Sequence, residues 1–278
     1  IYILYSYLGK PKTANLDKCV IIIKIMFSFT AQPHKELPSF SVKSQRENFE
    51  KWGMVQMNVQ NFSYNNYFDL ESKEDFVKAF FDDAVTKIAF KTFLKGSQCS
   101  LGHMQPVKYV KVKHLLSTVT NMGFFDRLFK NSVVRSCGTI KKCFDEMIDD
   151  VLISDELRKM MLTDESDYAS LFTDEEKEEF IYAIFRHIVL GGYCNQYEDD
   201  VQPYIDATKY VYKDLMRVVK DPKTKNLSIL STVLKVEMFD ENGGMIFPGN
   251  QSHAQNFCYF IINPEKCTIL IWHHIRDL

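Results

Sequence analysis

The sequence contains no apolar run long enough to cross a lipid bilayer. Near its start, Val20–Ile25 is apolar but is short and is interrupted by Lys24, whereas a transmembrane helix needs about 20 apolar residues. A secretory signal peptide carries a small-residue cleavage site after its apolar region, and none follows here. We therefore expect a protein without a membrane partner.

The sequence also lacks an excess of basic charge and closely spaced pairs of cysteines. The formal net charge is −2, and a nucleic-acid-binding protein usually carries a clearly basic face, so we predict no nucleic-acid partner. The 7 cysteines are scattered and never form a Cys-x-x-Cys motif. In a chain of this length, such usage is typical of reduced thiols in a cytoplasmic protein.

No metal site is predicted, although Cys258, Cys267, His273 and His274 lie close together in sequence. A turn closed by Asn263 and Lys266 would place Cys258 opposite Ile271 and Cys267 opposite Ile262. The two sulfurs would then be too far apart to share a zinc ion at about 2.3 Å. His273 and His274, as neighbours on a strand, would point to opposite faces of the sheet.

Motifs of the common enzyme classes are missing as well. The sequence has no phosphate loop, dinucleotide-binding fingerprint or nucleophile elbow. Gly191-Gly192 follows a predicted helix, so a helix end explains it better than a phosphate turn. His187 has no accompanying nucleophile or carboxylate pattern, which favours a structural role. We therefore predict no catalytic residue and no cofactor, and a protein that is not an enzyme.

The most informative stretch runs from Val151 to Pro222. Thr173 and Glu176 have the spacing of a capping box and predict the start of a helix that continues to Leu190. Apolar residues cover most of its circumference, which predicts a helix buried on several sides. Gly191-Gly192 is expected to end it.

The remaining patterns predict an α+β fold, with a helical middle section packed against an antiparallel sheet that includes a C-terminal β-meander. Helices are predicted at residues 44–52, 76–83, 124–129, 139–148, 157–162 and 200–220. Strands are predicted at residues 54–68, 88–94, 107–116, 227–239, 256–262 and 267–273. The lysines of the strand at 107–116 are typical of an exposed sheet edge.

The first 25 residues read unlike the rest of the chain. We interpret residues 1–25 as a non-native or disordered leader, with Met26 as the natural start. Residues 26–278 contain no linker and are predicted to form a single domain.

The loop between the two central helices is the predicted partner-binding surface. It contains Gly192, Gln196, Tyr197, Glu198 and Asp199. Loops held between rigid helices often carry recognition residues, and tyrosine is enriched at interface centres. The alternative is a purely architectural turn, with Tyr197 packed inward and the acids capping the next helix.

Whole segments of the chain resemble one known family. They include KEDFVKAFF at Lys73–Phe81, VVRSCGTIKKCFDE at Val133–Glu146, LISDELRKMML at Leu152–Leu162, EEFIYAIFRHIVLGG at Glu178–Gly192 and QYEDDVQPYIDATKYVYKDL at Gln196–Leu215. Their order and spacing are similar to those of the cilia- and flagella-associated protein 300 family. The region 97–113 matches poorly.

The resemblance implies a non-enzymatic cytoplasmic factor of ciliated cells that assembles or transports outer and inner axonemal dynein arms. Its implied partners are other dynein arm assembly factors and the intraflagellar transport machinery, and its implied location is the cytoplasm and the ciliary or flagellar axoneme. Two alternatives remain open: a structural protein fixed on the axonemal doublet, and an uncharacterised enzyme. The family offers no catalytic residues to transfer.

Overall fold

The computed structural model describes residues 26–33, 36–94 and 97–276, so the predicted leader lies outside the described residues. Its helices are α1 (Pro38–Ser41), α2 (Lys43–Lys51), α3 (Lys73–Asp82), α4 (Ala84–Ala89), α5 (Arg127–Lys130), α6 (Glu156–Leu162), α7 (Asp174–Lys177), α8 (Phe180–Leu190) and α9 (Gln202–Leu215). Its strands are β1 (Phe29–Ala31), β2 (Asn58–Tyr64), β3 (Lys91–Leu94), β4 (Ser97–Ser100), β5 (Tyr109–Leu115), β6 (Lys142–Ile148), β7 (Val151–Asp155), β8 (Val218–Lys220), β9 (Leu227–Ile229), β10 (Thr232–Phe239), β11 (Met245–Phe247), β12 (Phe257–Asn263) and β13 (Thr268–His274).

A 7-stranded antiparallel sheet forms the centre of the fold, which confirms the predicted α+β class. Its order is β1-β2-β13-β12-β10, with β5 along the far side of β10 and the short β11 beside the end of β10. The C-terminal strands β10, β12 and β13 are neighbours, as the meander prediction required. The lysine-bearing β5 is an edge strand within the described residues, in agreement with its sequence.

The sheet separates two hydrophobic cores because successive side chains of a strand point to opposite faces. On β12, Phe257, Tyr259 and Ile261 join the core under α8 and α9. The intervening Cys258, Phe260 and Ile262 join the other core, under α3 and α4. The second core is rich in phenylalanine, and its rings meet mainly edge to face, as between Phe62 and Phe80 at 5.0 Å.

The hairpin β12–β13 has a register that differs from the prediction. Asn263 pairs with Thr268, and Cys258 therefore lies opposite His273 rather than Ile271. The turn is longer than predicted because Cys267 belongs to it, with φ at 49°. His273 and His274 do point to opposite faces: His273 packs on Phe247, and His274 on Phe257.

Helix α8 is buried as predicted, and Gly191 ends it with φ at 59°. The capping box of Thr173 and Glu176 is also present, but the helix that it starts is α7, which ends at Lys177. The chain breaks there because Leu116 accepts a backbone hydrogen bond from Phe180 and donates one to Glu178. The carboxylate of Glu179 accepts two further bonds from Thr118. The single helix predicted from Thr173 to Leu190 is therefore two helices.

The helix predicted at residues 139–148 is wrong, because Lys142–Ile148 is strand β6. It pairs with β7 in a separate two-stranded sheet, the β6–β7 hairpin, whose turn residues Asp149 and Asp150 both have positive φ. The helix predicted at residues 200–220 is shorter: α9 ends at Leu215, and Val218 begins a small hairpin. Ile88, predicted in a strand, belongs to α4.

Candidate interaction surface

The loop between α8 and α9 is tied to the end of α2 by main-chain hydrogen bonds. Gly192 donates to the carbonyl of Trp52 and Gln196 donates to that of Lys51. A Cβ atom on Gly192 would lie 2.0 Å from the carbonyl oxygen of Gly53, so only glycine fits at this crossing. Gly192 thus has an architectural role at this crossing, and its part in binding a partner stays a prediction.

Glu198 is held inward, although it belongs to the predicted partner-binding loop. Its carboxylate accepts hydrogen bonds from the indole of Trp52 at 3.0 Å and from the ammonium group of Lys51 at 2.6 Å. Its own backbone N–H donates to the hydroxyl of Tyr204 at 2.9 Å. Glu198 therefore joins α2 to α9, and a change at this position would disturb that junction.

The side chain of Tyr197 is half-buried and lies against the β6–β7 hairpin. Its hydroxyl donates to the carbonyl oxygen of Leu152 at 2.6 Å, and the guanidinium of Arg158 lies 3.5 Å from the centre of its ring. Burial raises the pKa of the Tyr197 hydroxyl above its ordinary value. The inward packing of Tyr197 agrees with the architectural alternative for this residue.

Gln196 and Asp199 are the exposed members of the predicted surface. Asp199 pairs with Lys142 at the start of β6 at 2.6 Å, and this hydrogen bond lowers the pKa of its carboxyl group. Its backbone oxygen also accepts from the N–H of Ile140 at 2.8 Å. The loop thus runs beside the base of the β6–β7 hairpin, and the two share one surface.

A buried ion pair supports this surface from beneath. Asp155 caps α6 through the N–H of Arg158 at 2.9 Å and pairs with its guanidinium, and both side chains are fully buried. The guanidinium also donates to the hydroxyl of Tyr204 at 2.6 Å. Because buried charges are costly unless they are paired, this network fixes the hairpin, the loop and α9 relative to one another.

The β6–β7 hairpin carries three exposed apolar side chains that sequence reasoning missed. Phe144 is 96% exposed, Met147 63% and Leu152 45%. Met147 and Leu152 are direct cross-strand partners, and Phe144 lies in the β-bulge that shifts the register of β6. The helix predicted at residues 139–148 is the reason they were missed, because a helix would have turned Phe144 and Met147 toward a core. The acidic pair Asp149-Asp150 before the β-branched Val151 is the signal that could have revealed the turn.

A half-open groove of about 330 Å³ lies elsewhere, between the β5 edge and α8. His187 and Tyr259 lie at its base, where the imidazole Nε2 and the phenol oxygen are 2.7 Å apart. Burial lowers the pKa of His187 and raises that of Tyr259, so both groups are neutral near pH 7. At the rim, Lys113 pairs with Glu178 at 2.5 Å. The neutral contact between His187 and Tyr259 stabilises packing at the base of this groove.

Metal-ligating residues are not clustered in the described part of the chain. No group of three or more His, Cys, Asp or Glu side chains there could hold a metal ion. Cys258 and His273, although paired across the strands, project into the phenylalanine-rich core. Burial there raises the pKa of the Cys258 thiol and lowers that of His273 to about 3.

Among residues 26–33, 36–94 and 97–276, no helix combines the length and the apolar character needed to cross a membrane.

Comparisons with known proteins give a consistent result. A family model described as "Cilia- and flagella-associated protein 300" matches residues 26–274. A relative of that name from Chlamydomonas reinhardtii is 33% identical over 237 residues, which cover 84% of this chain and 90% of the relative. A second, from Paramecium tetraurelia, is 28% identical over 226 residues and covers 80% of this chain and 84% of the relative. No solved structure matches.

Proposed function

Because the chain belongs to the cilia- and flagella-associated protein 300 family, we propose that it is a non-enzymatic factor for the assembly or transport of outer and inner axonemal dynein arms. The observation that carries the proposal is the family match, which extends over residues 26–274. In this role the protein is required for ciliary and flagellar motility. It acts in the cytoplasm and at the axoneme, with other assembly factors and the intraflagellar transport machinery as its partners.

The causes of the pKa shifts support a non-enzymatic role. Strongly shifted groups often mark active sites, but they also occur in structural networks. Here the largest shifts fall on buried histidines, tyrosines and Cys258, and burial is the first cause of each. His274, for example, bonds the carbonyl oxygen of Gln255 at 2.8 Å and stacks on Phe257. Packing and main-chain bonding therefore explain the perturbed groups.

The test removes the protein from a ciliated cell and examines axoneme cross-sections by electron microscopy. We expect intact doublets that lack outer and inner arms, together with immotile cilia. Re-expression of the full chain should restore the arms. Normal arms in cells without the protein would refute the proposal.

Detergent extraction separates this function from that of a structural doublet protein. An assembly factor leaves with the soluble fraction, whereas a protein fixed on the doublet stays with the extracted axoneme. Retention of most of the protein on extracted doublets would favour the structural alternative.

A further inference from the structure

We propose that the outer face of the β6–β7 hairpin is a docking surface for an amphipathic segment of another protein, with apolar anchor residues flanked by lysine or arginine. This inference rests on the proposed function, because an assembly factor acts by binding other proteins. The hairpin patch consists of Phe144, Met147 and Leu152.

The hairpin patch is a cluster rather than a scatter of exposed apolar residues. Met147 and Leu152 face each other across the strands, and Phe144 lies in the bulge of the same strand, where its side chain is 96% exposed. Single exposed apolar side chains are ordinary, but neighbouring ones mark interaction sites. Phenylalanine and methionine are also enriched in the buried centres of interfaces.

The hairpin is preformed, so a partner would not have to order it. Its inner face is buried through Val151 and Ile153. Its tip is tied down where the carbonyl oxygen of Asp149 accepts from His253 at 2.8 Å and that of Asp150 from Arg276 at 3.3 Å. A rigid surface loses little conformational entropy on binding, which favours affinity.

The charge around the patch identifies the partner's chemistry. Within the part of the chain that the structure describes, Asp145, Asp149 and Asp150 are exposed and their carboxylates have no ion-pair partner. The nearby Glu146 and Asp199, in contrast, pair with Lys159 and Lys142. An apolar centre beside exposed carboxylates that make no ion pair is complementary to apolar anchors flanked by basic residues.

Two other occupants fit less well. A symmetric dimer through this face would bring the same acidic side chains of two copies together, which like-charge repulsion opposes. An added strand along β6 would meet the β-bulge at Phe144, and bulges interrupt pairing at sheet edges. The geometry thus favours a segment that is recognised through side chains on the face of the hairpin.

The experiment places a photo-cross-linking benzoylphenylalanine at position 144 of the full chain in ciliated cells. The matched control carries it at position 88, since Ile88 is also exposed, at 73%, on α4. Cross-linked peptides are then identified by mass spectrometry. We expect position 144 alone to capture one segment that contains apolar residues with lysine or arginine beside them. Capture of a second copy of this chain, capture of acidic segments, or equal yields at both positions would overturn the proposal.

A binding measurement then checks the captured segment as a synthetic peptide against the purified full chain. Phe144→Ser with Met147→Ser should weaken binding by about tenfold or more. The control pair Val85→Ser with Ile88→Ser, on exposed residues of α4, should leave binding within about twofold. Asp145→Asn with Asp149→Asn should weaken binding and reduce its salt dependence. Equal binding by all variants with unchanged melting temperatures would refute the surface.

These results are separable from the test of the proposed function. If arms are missing without the protein but Phe144→Ser with Met147→Ser restores them fully, the function stands and the surface fails. If arms are normal without the protein, the function fails, and the cross-linking and peptide measurements still decide whether the surface binds a segment of this kind.

Discussion

At the scale of single residues, buried side chains that pack in one arrangement stabilise the fold. Phe185 is fully buried, and its ring centre lies 4.4 Å from that of Phe125. Such positions follow from the sequence pattern of α8, because a helix that is apolar on nearly every side has to be surrounded.

Phe185→Ala is expected to lower the free energy of unfolding by about 3–5 kcal/mol, since it removes a large buried ring and leaves a cavity. Urea denaturation gives the value. Tyr210→Ala is the matched control, because Tyr210 on α9 is 47% exposed and should cost under about 1 kcal/mol. Similar losses for both variants would mean that Phe185 is not a core residue.

Arg158→Met is expected to cost about 3–5 kcal/mol, because it leaves the buried carboxylate of Asp155 without its counter-charge. The double variant Arg158→Met with Asp155→Asn removes both charges and retains an oxygen that can cap α6. It should therefore be more stable than the single variant. A double variant that is less stable than Arg158→Met would show that the charge of Asp155 is not the source of the loss.

Stability should fall as the solution is acidified below about pH 6.5, the ordinary pKa of histidine. Burial lowers the pKa of His273 to about 3 and that of His274 to about 4, so both stay neutral in the folded protein. The unfolded chain binds these protons near pH 6.5, whereas the folded protein binds them only near pH 4 and pH 3, so stability is lost between about pH 6.5 and pH 3.

Urea denaturation at pH 7 and pH 5 measures this loss. His273→Gln keeps a donor for the carbonyl oxygen of Lys91 and should reduce the difference between the two pH values by up to about 2 kcal/mol. The same difference in the wild type and the variant would show that His273 does not contribute.

At the scale of elements, the errors of sequence reasoning arise where distant contacts decide the structure. Residues 139–148 have apolar or cysteine side chains at Ile140, Cys143, Phe144 and Met147, which is helical spacing. The segment is nevertheless a strand because β7 lies beside it and Asp199 fixes its start. The local pattern cannot encode those partners, so the exposed hairpin patch was not predicted.

The break between α7 and α8 has the same origin. Nothing in Lys177–Glu179 ends a helix by itself, yet the chain leaves the helix to bond Leu116 and Thr118, which are distant in sequence. In contrast, the capping box at Thr173 and the glycine end at Gly191 depend on near neighbours. These local features were predicted correctly from the sequence.

Gly192→Ala should destabilise the junction of α2 and α8 by more than the usual cost of a surface change, because its Cβ would collide with the carbonyl oxygen of Gly53. Thermal unfolding should show a melting temperature lower by several degrees. Gln196→Ala in the same loop, at an exposed position, is the control and should leave it unchanged. An unaltered melting temperature for Gly192→Ala would contradict the close approach of the two chains.

At the scale of the whole molecule, two cores share one sheet, and the family match covers the segments that build both. The alternating apolar strands and the buried helix made the α+β class predictable. The strand order could not be predicted, because sequence patterns do not state which strands pair.

Residues 1–25 lie outside both the described residues and the family match, and their interpretation as a leader stays a prediction. A chain beginning at Met26 should melt at the same temperature as the full chain. Circular dichroism on the two proteins measures this. A marked drop for the shorter chain would mean that Val20–Ile25 contributes to the fold.

The strand order also has a consequence for biosynthesis. β13, the last strand of the chain, lies between β12 and β2, and β2 in turn is the only neighbour of β1 within the described residues. On the ribosome, β2 therefore cannot pair with β13 until almost the whole protein has been synthesised. Helix α3 follows β2 closely and can cover one face of β1 and β2, but during that interval the β2 edge stays unpaired and prone to aggregation. A chain shortened by even the final two strands would separate the start of the protein from the rest of its sheet, so premature stop codons near the end should be nearly as damaging as early ones.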